Sequence, residues 1–282
     1  MVRKKILKHS PLVSVNIRTF NSEKYLEETL SSVKNQTYKN VEILVSDGYS
    51  KDNSIKIAKS FGAKIGYADK LGDARYQNYK KSKGKYIFSL DSDQVLNNKL
   101  IAACIKKAEK ENLDALSVSE KSFISSKSTF LEKLIAYDKW LIDKNRDDNA
   151  LFGTACPRFF KKELLKKVVW PPELSIFDDT ILYAEILDKG ASSGYLSKPS
   201  IYHHEVNSWR IFAKKFFRYG KGYIKAFGQK PSTIAAHSLP RRSYFSMAAL
   251  TKPLYLFGLM FLYIVKVISA GFGSIAYLVT KK

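Results

Sequence analysis

The chain has 282 residues, of which 45% are hydrophobic and 13% aromatic. This apolar content is enough to bury a core, which excludes the disordered class of low hydrophobicity. Forty-eight Lys and Arg residues against 26 Asp and Glu residues give a formal charge of +22. Such a charge attracts nucleic acid, anionic lipid or phosphorylated small molecules, and it is also compatible with a lysine-rich surface that binds no partner.

The two cysteines, Cys104 and Cys156, are too few for a disulfide-stapled secreted fold, and neither belongs to a CxxC or Cys/His cluster. A reducing compartment is therefore favoured. Residues 1–11 form a basic tail that is similar to the start of a signal peptide, but Lys8 and Pro11 interrupt the apolar run that a signal needs. We therefore expect that the chain is not exported.

Strand and helix patterns alternate along the first third of the chain. Short apolar, β-branched runs at 12–17, 41–46, 64–67 and 86–90 predict strands, and helical patterns follow the first three. This order is typical of a mostly parallel α/β sheet with helices on both faces. Ligands of such sheets bind at the carboxyl ends of the strands.

Further elements are predicted beyond this sheet. Thr129 and Glu132 form a T-x-x-E capping box, which predicts the start of a helix. Residues 151–160 predict another strand, and residues 178–189 predict another helix. Residues 207–227 form a basic, aromatic and amphipathic stretch.

The C-terminal segment from Pro253 to Thr280 contains one charged residue, Lys266. As a single helix it would cover about 42 Å, enough to cross a hydrocarbon layer of about 30 Å. Lys266 near the middle would cost about 2.5–3.5 kcal/mol there, and Gly271 and Gly273 predict a break. We therefore favour two short segments in one leaflet, with the basic flanks on the cytoplasmic side; a single spanning helix and a buried pair of core helices are the alternatives.

Polar side chains follow the predicted strands at the edge where a ligand would bind. They are Arg18, Thr19 and Asn21 after the first strand, Asp47 after the second, Arg75 and Gln77 before the fourth, and Asp91, Ser92 and Asp93 after it. A fixed carboxylate such as Asp47 can accept hydrogen bonds from a base or ribose, or it can cap the following turn. Two carboxylates one residue apart can hold a hard divalent cation, although D-x-D triplets also occur in loops without this role.

Several of these segments, in this order, resemble the inverting family 2 glycosyltransferases with a GT-A fold. The resemblance rests on Val13–Asn21, on Gln36-Thr37-Tyr38, on V-x-D-G-x-S-x-D-x-S at 45–54 and on G-x-Y-I-x-x-L-D-x-D at 84–93. It covers residues 12–230 and implies a Rossmann-like nucleotide-diphospho-sugar transferase domain, with a nucleotide-binding half at 12–98 and an acceptor half at 99–230. Residues 231–282 are expected to follow as a membrane-associated helical segment.

The resemblance implies roles for the polar residues at the strand ends. It implies that Thr19, Asp47 and Arg75 bind the nucleotide of a UDP- or GDP-sugar, and that Asp91 and Asp93 bind ribose and Mn²⁺ or Mg²⁺. Their neighbours Asn21, Gln77 and Ser92 complete the expected donor site.

A catalytic base is also implied by the resemblance. Phe177-Asp178-Asp179-Thr180 is similar to the acidic pair that begins a helix in the family, with Asp178 in place of Glu and Asp179 aligned with the base. Inverting transfer needs a carboxylate that deprotonates the acceptor hydroxyl on the face opposite the leaving nucleoside diphosphate. An Asp that only caps the helix is the structural alternative.

Two further groups of residues are candidates for metal and phosphate binding. The family often has a His that closes over the donor and completes the metal shell, and His203 or His204 is in the corresponding place; a His that satisfies local backbone groups is the alternative. Lys214 and Arg218 are expected to engage anionic headgroups or an acceptor phosphate, unless they form a solvated face without a partner. Arg158 is a weaker phosphate candidate.

The expected function is that of a metal-dependent, inverting hexosyltransferase at the cytoplasmic face of the cell membrane, with a lipid-linked acceptor such as polyprenyl phosphate or an oligosaccharide. A catalytically inactive membrane-bound scaffold, or a sugar-nucleotide-binding protein of the same fold, is the alternative. A nicotinamide dehydrogenase would need G-x-G-x-x-G after the first strand, where this chain has Arg18-Thr19-Phe20-Asn21. The usual nucleic-acid-binding signatures are not visible, so no nucleic-acid partner is expected.

Overall fold

A computed structural model of the chain describes residues 10–145 and 156–280, apart from the side chain of His237. Eight strands in these ranges form one mixed sheet. They are β1 (Val13–Thr19), β2 (Val41–Asp47), β3 (Lys64–Tyr67), β4 (Tyr86–Asp91), β5 (Gln94–Leu96), β6 (Ala115–Ser122), β7 (Phe159–Lys161) and β8 (Ser193–His203).

Helices connect these strands and continue beyond the sheet. In the described ranges they are α1 (Glu23–Lys34), α2 (Ser54–Ser60), α3 (Leu71–Lys81), α4 (Leu100–Lys110), α5 (Phe130–Asn145), α6 (Asp178–Asp188), α7 (Trp209–Gln229), α8 (Pro231–Ser238), α9 (Met247–Leu250) and α10 (Pro253–Thr280). Strands and helices alternate up to β4, which confirms the predicted α/β architecture.

The sheet order is β3-β2-β1-β4-β7-β6-β8-β5. Strands β1 to β4 pair in parallel, whereas β7 runs antiparallel to both of its neighbours and β5 runs antiparallel to β8. Arg18 near the end of β1 lies opposite Ser46 on one side and Asp91 on the other. The carboxyl ends of β1, β2 and β4 therefore meet at one edge, where the polar residues were expected to converge.

The core is formed by the central strands and the helices that cover them. Val15, Ile17, Val45 and Phe88 have no exposed surface. Parallel strands that are buried on both faces carry continuous apolar runs, which explains why β1, β2 and β4 were visible in the sequence. Burial of each such side chain contributes about 1.5–3 kcal/mol, so the core fixes the edge on which the polar residues stand.

Local signals predicted some later elements well and others poorly. The backbone N–H of Thr129 donates to Glu132 Oε2 at 2.7 Å, and the N–H of Glu132 donates to Thr129 Oγ1 at 3.3 Å, so the predicted capping box starts α5. The strand predicted at 151–160 is wrong for residues 156–158, because Pro157 has no N–H to donate and the strand begins only at Phe159. Residues 151–155 of that prediction lie outside the described residues.

Helix α10 runs without interruption for 28 residues, so the prediction of a break at Gly271 and Gly273 is wrong. Gly273 lies where α10 meets α7, and a Cβ atom there would fall 2.0 Å from the carbonyl oxygen of Phe217. Gly220 of α7 has the same role, because its Cβ atom would fall 1.9 Å from the carbonyl oxygen of Ala270. Gly273 and Gly220 therefore permit close packing of the two helices, and neither Gly271 nor Gly273 forms a turn.

Helices α7 and α10 lie side by side and run in the same direction. Near their starts the ring centroids of Trp209 and Phe261 are 5.2 Å apart, and further along Gly220 meets Ala270. By length and composition α10 could cross a membrane. The face of α10 turned away from α7 exposes Leu254, Phe257, Ile264, Ile268, Phe272, Ile275 and Leu278.

Candidate functional site

A cavity of about 570 Å³ lies between the sheet and the C-terminal helices, and it is lined by residues from both. Asp91, the last residue of β4, and Asp179, the second residue of α6, both line it. The structure therefore brings together a carboxylate expected at the donor and the carboxylate expected to act as the base, which are far apart in the sequence.

Asp91 is held by two arginines. Its Oδ1 atom is 2.5 Å from Arg18 Nη2, and its Oδ2 atom is 3.0 Å from Arg158 Nη1. Burial would raise the pKa of Asp91, but the guanidinium groups of Arg158 and Arg18 lower it well below its ordinary value. Asp91 is therefore a fixed anion, and both of its oxygens already have charged donors.

The two acids that begin α6 have different surroundings. Phe177 precedes the helix with a left-handed φ of 65°. Asp178 is buried, and its Oδ2 atom lies 2.8 Å from Arg75 Nε and 3.3 Å from Arg18 Nη1. Asp179 keeps 37% of its side chain exposed. The first acid is thus an internal partner of two arginines, and the second is open to the cavity.

Asp179 is ionised although it lies in the protein. Burial raises the pKa of its carboxyl group, but Arg75, Arg18 and Arg158 outweigh this effect and lower the pKa below its ordinary value. Its Oδ1 atom accepts the backbone N–H of Thr180 at 2.8 Å. An ionised, oriented carboxylate at a cavity wall can accept a proton from a bound hydroxyl group.

Asp93 and His203 face each other at the end of β8. His203 Nε2 lies 3.4 Å from Asp93 Oδ1, and His203 Nδ1 lies 3.2 Å from Glu205 Oε1. Burial and the charge of Lys139 lower the pKa of His203, but its contacts with Asp93 and Glu205 raise it to about 9. The imidazole is therefore oriented by a carboxylate on each side.

His204 is not brought to this pair. Its Nε2 atom lies 2.7 Å from Glu28 Oε2, and its ring stacks on Tyr25 with 4.1 Å between ring centroids. Successive side chains of an extended chain point to opposite faces, so only one of two adjacent histidines can face the site. The structure selects His203 for that face.

The expected divalent cation needs side chains that can serve as its ligands. In the ranges 10–145 and 156–280 no group of three or more His, Cys, Asp or Glu side chains is arranged to hold a metal ion. Asp93 and the deprotonated form of His203 nevertheless fit a cation that takes further ligands from a substrate, because Mg²⁺ is commonly held by one or two carboxylates plus substrate phosphates. The contact from Glu205 to the far nitrogen of His203 is typical of metal-binding histidines. Asp91 is not free for this role.

Three expected nucleotide-binding residues lie at the strand ends. Asp47 is buried and accepts the N–H of Ser50 at 2.7 Å and its hydroxyl at 2.6 Å, which is the turn-capping arrangement. Asn21 has a φ of 48° and accepts the N–H of Lys51 at 2.9 Å. The hydroxyl of Thr19 is buried and makes no hydrogen bond within the described residues, so it can still receive a ligand atom.

The remaining donor-site candidates differ in placement. Arg75 is buried and directed at the acidic pair of α6. The Ser92 hydroxyl shares a hydrogen bond of 2.8 Å with the hydroxyl of Ser22. Gln77 donates to Asp73 Oδ1 at 3.1 Å along α3 and is not among the residues that line the cavity.

The phosphate candidates were Arg158, Lys214 and Arg218. Arg158 belongs to the carboxylate network, since its Nη2 atom is also 3.2 Å from Glu120 Oε2. Lys214 and Arg218 are exposed and do not line the cavity. The face of α7 that does line it carries Phe212, Lys215, Phe216, Tyr219 and Tyr223.

Sequence reasoning missed a buried charge network beside the site. Lys139 Nζ lies 2.6 Å from Glu120 Oε1 and 2.6 Å from Glu205 Oε1. Burial raises the pKa of Glu120, but Lys139, His203 and Arg158 lower it to about 2. No strand was predicted over β6, so Glu120 gave no signal. Lys139 was the available signal, because it stands among the apolar residues of a predicted helix and lysines are rarely buried without partners.

Comparison with known proteins gives the chain its family. Residues 14–169 match the Glycosyl transferase family 2 domain. An uncharacterized glycosyltransferase of Rickettsia prowazekii is 31% identical over 185 residues, which are 64% of this chain and 58% of the relative. The chain thus spans less than two thirds of that relative's length.

Solved structures of other proteins share the fold. Mannosyltransferase PcManGT from Pyrobaculum calidifontis, in complex with GDP-Man and Mn²⁺, has a TM-score of 0.65 and 16% identity, covering 98% of this chain and 89% of that one. TarS 1–349 of S. aureus, in complex with UDP-GlcNAc, has a TM-score of 0.57 and 20% identity, covering 84% and 73%. With a GT-A-like fold and a family match over more than half of its length, the chain belongs to glycosyl transferase family 2.

Proposed function

We propose that the chain transfers a hexose from a UDP- or GDP-sugar to an acceptor hydroxyl group, with inversion, at the cytoplasmic face of a membrane. The observation that carries the proposal is that two neighbouring carboxylates have different surroundings. Asp178 is paired with buried arginines, whereas Asp179 is open to the cavity that Asp91 also lines. A base needs such an accessible carboxylate beside the donor.

The donor is expected to lie across the carboxyl ends of β1, β2 and β4. In this proposal Thr19 and Asp47 meet the nucleoside, and the hydroxyl of Thr19, which makes no hydrogen bond within the described residues, supports this role. The fold is similar to those of a mannosyltransferase solved with GDP-Man and of TarS solved with UDP-GlcNAc, which supports a nucleotide-sugar donor. We assign the donor half to residues 12–98, the acceptor half to 99–230 and a membrane-associated segment to 231–282.

Asp179 performs the proton transfer in this proposal. As the acceptor oxygen attacks the anomeric carbon, its proton passes to Oδ2 of Asp179, which lies 3.9 Å from Arg75 Nη2 and is not hydrogen-bonded to Thr180. The new glycosidic bond forms while the bond from the anomeric carbon to the diphosphate oxygen breaks, and the nucleoside diphosphate leaves with the electron pair. General-base assistance of this kind contributes about 10²–10⁴-fold in rate.

Asp93 and His203 would hold Mn²⁺ or Mg²⁺, and the cation would supply positive charge to the leaving diphosphate. Glu205 orients His203 from the other side, at 3.2 Å from Nδ1. Arg18 and Arg158 keep Asp91 ionised and in place. In this proposal these residues arrange the donor end of the site.

Membrane association is supported by the α7–α10 pair. Because α7 runs beside α10, an α10 that spanned a bilayer would take the exposed cations of α7 into the hydrocarbon, at about 2.5–3.5 kcal/mol for each one near the centre. These cations are Arg210, Lys214, Arg218, Lys221 and Lys225. We therefore place α10 along the surface, with its exposed apolar face in one leaflet and the α7 cations among the headgroups.

The test uses the purified full chain with a panel of UDP- and GDP-hexoses. Binding is measured by thermal shift, where a donor at about 100 times its Kd adds about 2.7 kcal/mol of stability. Turnover is measured as nucleoside diphosphate release with Mn²⁺ or with EDTA. We expect Mn²⁺-dependent release with at least one donor.

Two variants sharpen this experiment. Asp179→Asn should abolish release while the donor-induced thermal shift remains, and Glu27→Gln, on the exposed surface of α1, should behave as the wild type. Substantial turnover by Asp179→Asn would remove Asp179 from the mechanism. Donor binding without release from any donor, with or without metal, would favour an inactive sugar-nucleotide-binding protein.

A further inference from the structure

The cavity contains a second group of charges away from the donor residues. Lys215 of α7, Lys266 of α10 and Arg241 between α8 and α9 all line it. Arg241 and Lys215 are both close enough to Lys266 for their charges to repel it. These cations come from three separate segments. The tertiary fold brings them together, and they are not part of one local run of basic residues. We call Lys215, Arg241 and Lys266 the cation group.

One carboxylate, Asp138 of α5, contacts the cation group within the described ranges. Arg241 Nε is 3.5 Å from Asp138 Oδ1, and Lys266 Nζ is 3.8 Å from Asp138 Oδ2. Both distances exceed those of good hydrogen bonds. Asp138 Oδ1 also accepts the hydroxyl of Tyr244 at 2.9 Å. Asp138 therefore compensates the cation group only in part.

The cation group also has unused hydrogen-bonding capacity. The Nη1 atom of Arg241 is buried and has no hydrogen-bond partner in the part of the chain that the structure describes. The side chains of Arg241 and Lys266 are only 24% and 19% exposed. Partly buried cations whose charge is only partly compensated are costly, and an anion with several oxygen acceptors lowers that cost. A phosphate group fits these requirements.

The wall around the cation group is apolar and reaches the outer surface. Phe216, Val267 and Ala270 line the same cavity, as does Gly271, which is exposed on α10. The cavity therefore opens beside the apolar face that we place in the leaflet. A ligand with a phosphate at the cation group can direct an apolar chain through this opening.

We propose that the cation group binds the phosphate of a lipid-linked saccharide, whose apolar chain leaves the cavity beside α10 and whose sugar hydroxyl reaches Asp179. Its use as an acceptor rests on the proposed function, whereas phosphate binding does not. A phosphate oxygen is already ionised at neutral pH and needs no base to attack. A base and a phosphate site that line the same cavity therefore favour a hydroxyl-bearing lipid phosphate over a bare lipid phosphate as acceptor.

Binding is tested by calorimetry on the full chain without donor, with farnesyl phosphate, farnesol and inorganic phosphate as probes. We expect farnesyl phosphate to bind at least 10-fold more tightly than either of the other two, because only it offers both the charge and the chain. Farnesyl phosphate that binds no better than farnesol would overturn the proposal, and equal binding of inorganic phosphate would show a free-phosphate site instead.

Variants identify the residues involved. Arg241→Gln and Lys266→Met should each weaken farnesyl phosphate binding at least 10-fold and leave farnesol binding unchanged, whereas Arg241→Lys, which keeps the charge and the fold, should retain part of it. Lys214→Gln and Arg218→Gln, on the exposed side of α7, are the matched controls. Wild-type affinity in Arg241→Gln and Lys266→Met, or equal losses in the controls, would overturn the assignment.

The two proposals can fail separately. The donor-induced thermal shift of Arg241→Gln should equal that of the wild type, because Arg241 is not among the donor residues. If the wild type shows no donor binding but binds farnesyl phosphate through the cation group, the proposed transfer reaction fails and the phosphate site stands. If donor turnover is present and farnesyl phosphate does not bind, the phosphate site fails and the proposed transfer reaction stands.

Discussion

Arg75 and Asp178 form a buried ion pair in which Nε and Oδ2 are 2.8 Å apart. The same oxygen is 3.3 Å from Arg18 Nη1, so one carboxylate compensates two guanidinium groups. Asp178→Asn should therefore lower the free energy of unfolding by about 3–5 kcal/mol, the usual cost of leaving a buried charge without its partner. Asp179→Asn should cost less than about 1 kcal/mol, because Asp179 is 37% exposed. Urea unfolding of both variants measures the difference, and equal losses would contradict it.

Glu42 should make the stability of the fold depend on pH. Burial raises the pKa of Glu42, but hydrogen bonds from Lys64, Ser14 and the backbone of Lys83 outweigh this and lower it below 4.5. The unfolded chain therefore binds the proton more readily, so this stabilisation is complete above pH 4.5 and is lost as the pH falls further. Glu42→Gln should be less stable than the wild type by about 1–2 kcal/mol at pH 7, with the gap closing below pH 4.5. Parallel stability curves from pH 7 to pH 3 would contradict this.

The proposed Mn²⁺ site contains His203 but not the adjacent His204. In the presence of a nucleoside diphosphate, Asp93→Asn and His203→Gln should weaken Mn²⁺ binding by at least about 10–100-fold, since even outer-shell partners of metal ligands have effects of that size. His204→Gln is the control, because His204 contacts Glu28 and not Asp93. Electron paramagnetic resonance of free Mn²⁺ measures the binding. Equal weakening in all three variants would show that Asp93 and His203 are not a specific pair.

The contact between α7 and α10 should tolerate no side chain at two glycines. A methyl group at Gly220 or Gly273 would fall 1.9 or 2.0 Å from a backbone oxygen of the facing helix. Gly220→Ala and Gly273→Ala should therefore each destabilise the protein by at least about 1–3 kcal/mol. Gly271→Ala is the control, because a methyl group there meets no atom within 4 Å, and it should stabilise α10 by about 0.5–1 kcal/mol. Thermal unfolding in detergent compares the three variants, and a loss of stability in the control would refute the packing explanation.

The exposed face of α10 should mediate membrane binding. Ile264 and Ile268 are 50% and 53% exposed, so replacing both with Glu should leave the fold intact. The double variant should lose most of its binding to vesicles that contain anionic lipid, since charged side chains are costly within the leaflet. Val169, 69% exposed on another surface, provides the control Val169→Glu. Flotation measures bound protein, and retained binding by the double variant would exclude this face.

The donor half was predictable because its signals are local. Strands β1, β2 and β4 are buried on both faces and therefore appear as unbroken apolar runs. The polar residues that follow them had to converge once the strands were parallel, so Asp91 and Asp47 could be placed at one edge from the pattern alone. The capping box at Thr129 was equally visible, because it involves residues only three positions apart.

Other features depend on partners that are distant in the sequence. The role of Gly273 depends on α7, which lies more than forty residues earlier, so the sequence pattern alone suggested a turn. The choice of His203 over His204 depends on which face of β8 covers Asp93. The Lys139 network joins β6, α5 and the residues after β8. Pairings of this kind carry no local periodicity and become visible only in the folded chain.

Phe177 adopts a φ of 65° immediately before α6. This single torsion lies outside the helix, yet it sets the direction in which the helix leaves the preceding loop and thus where each of the next two acids points. Phe177 also lines the cavity, so the residue that sets this direction belongs to the same wall as Asp179. Because a residue other than glycine adopts a positive φ only at a cost, we expect a change at position 177 to shift Asp178 and Asp179 jointly.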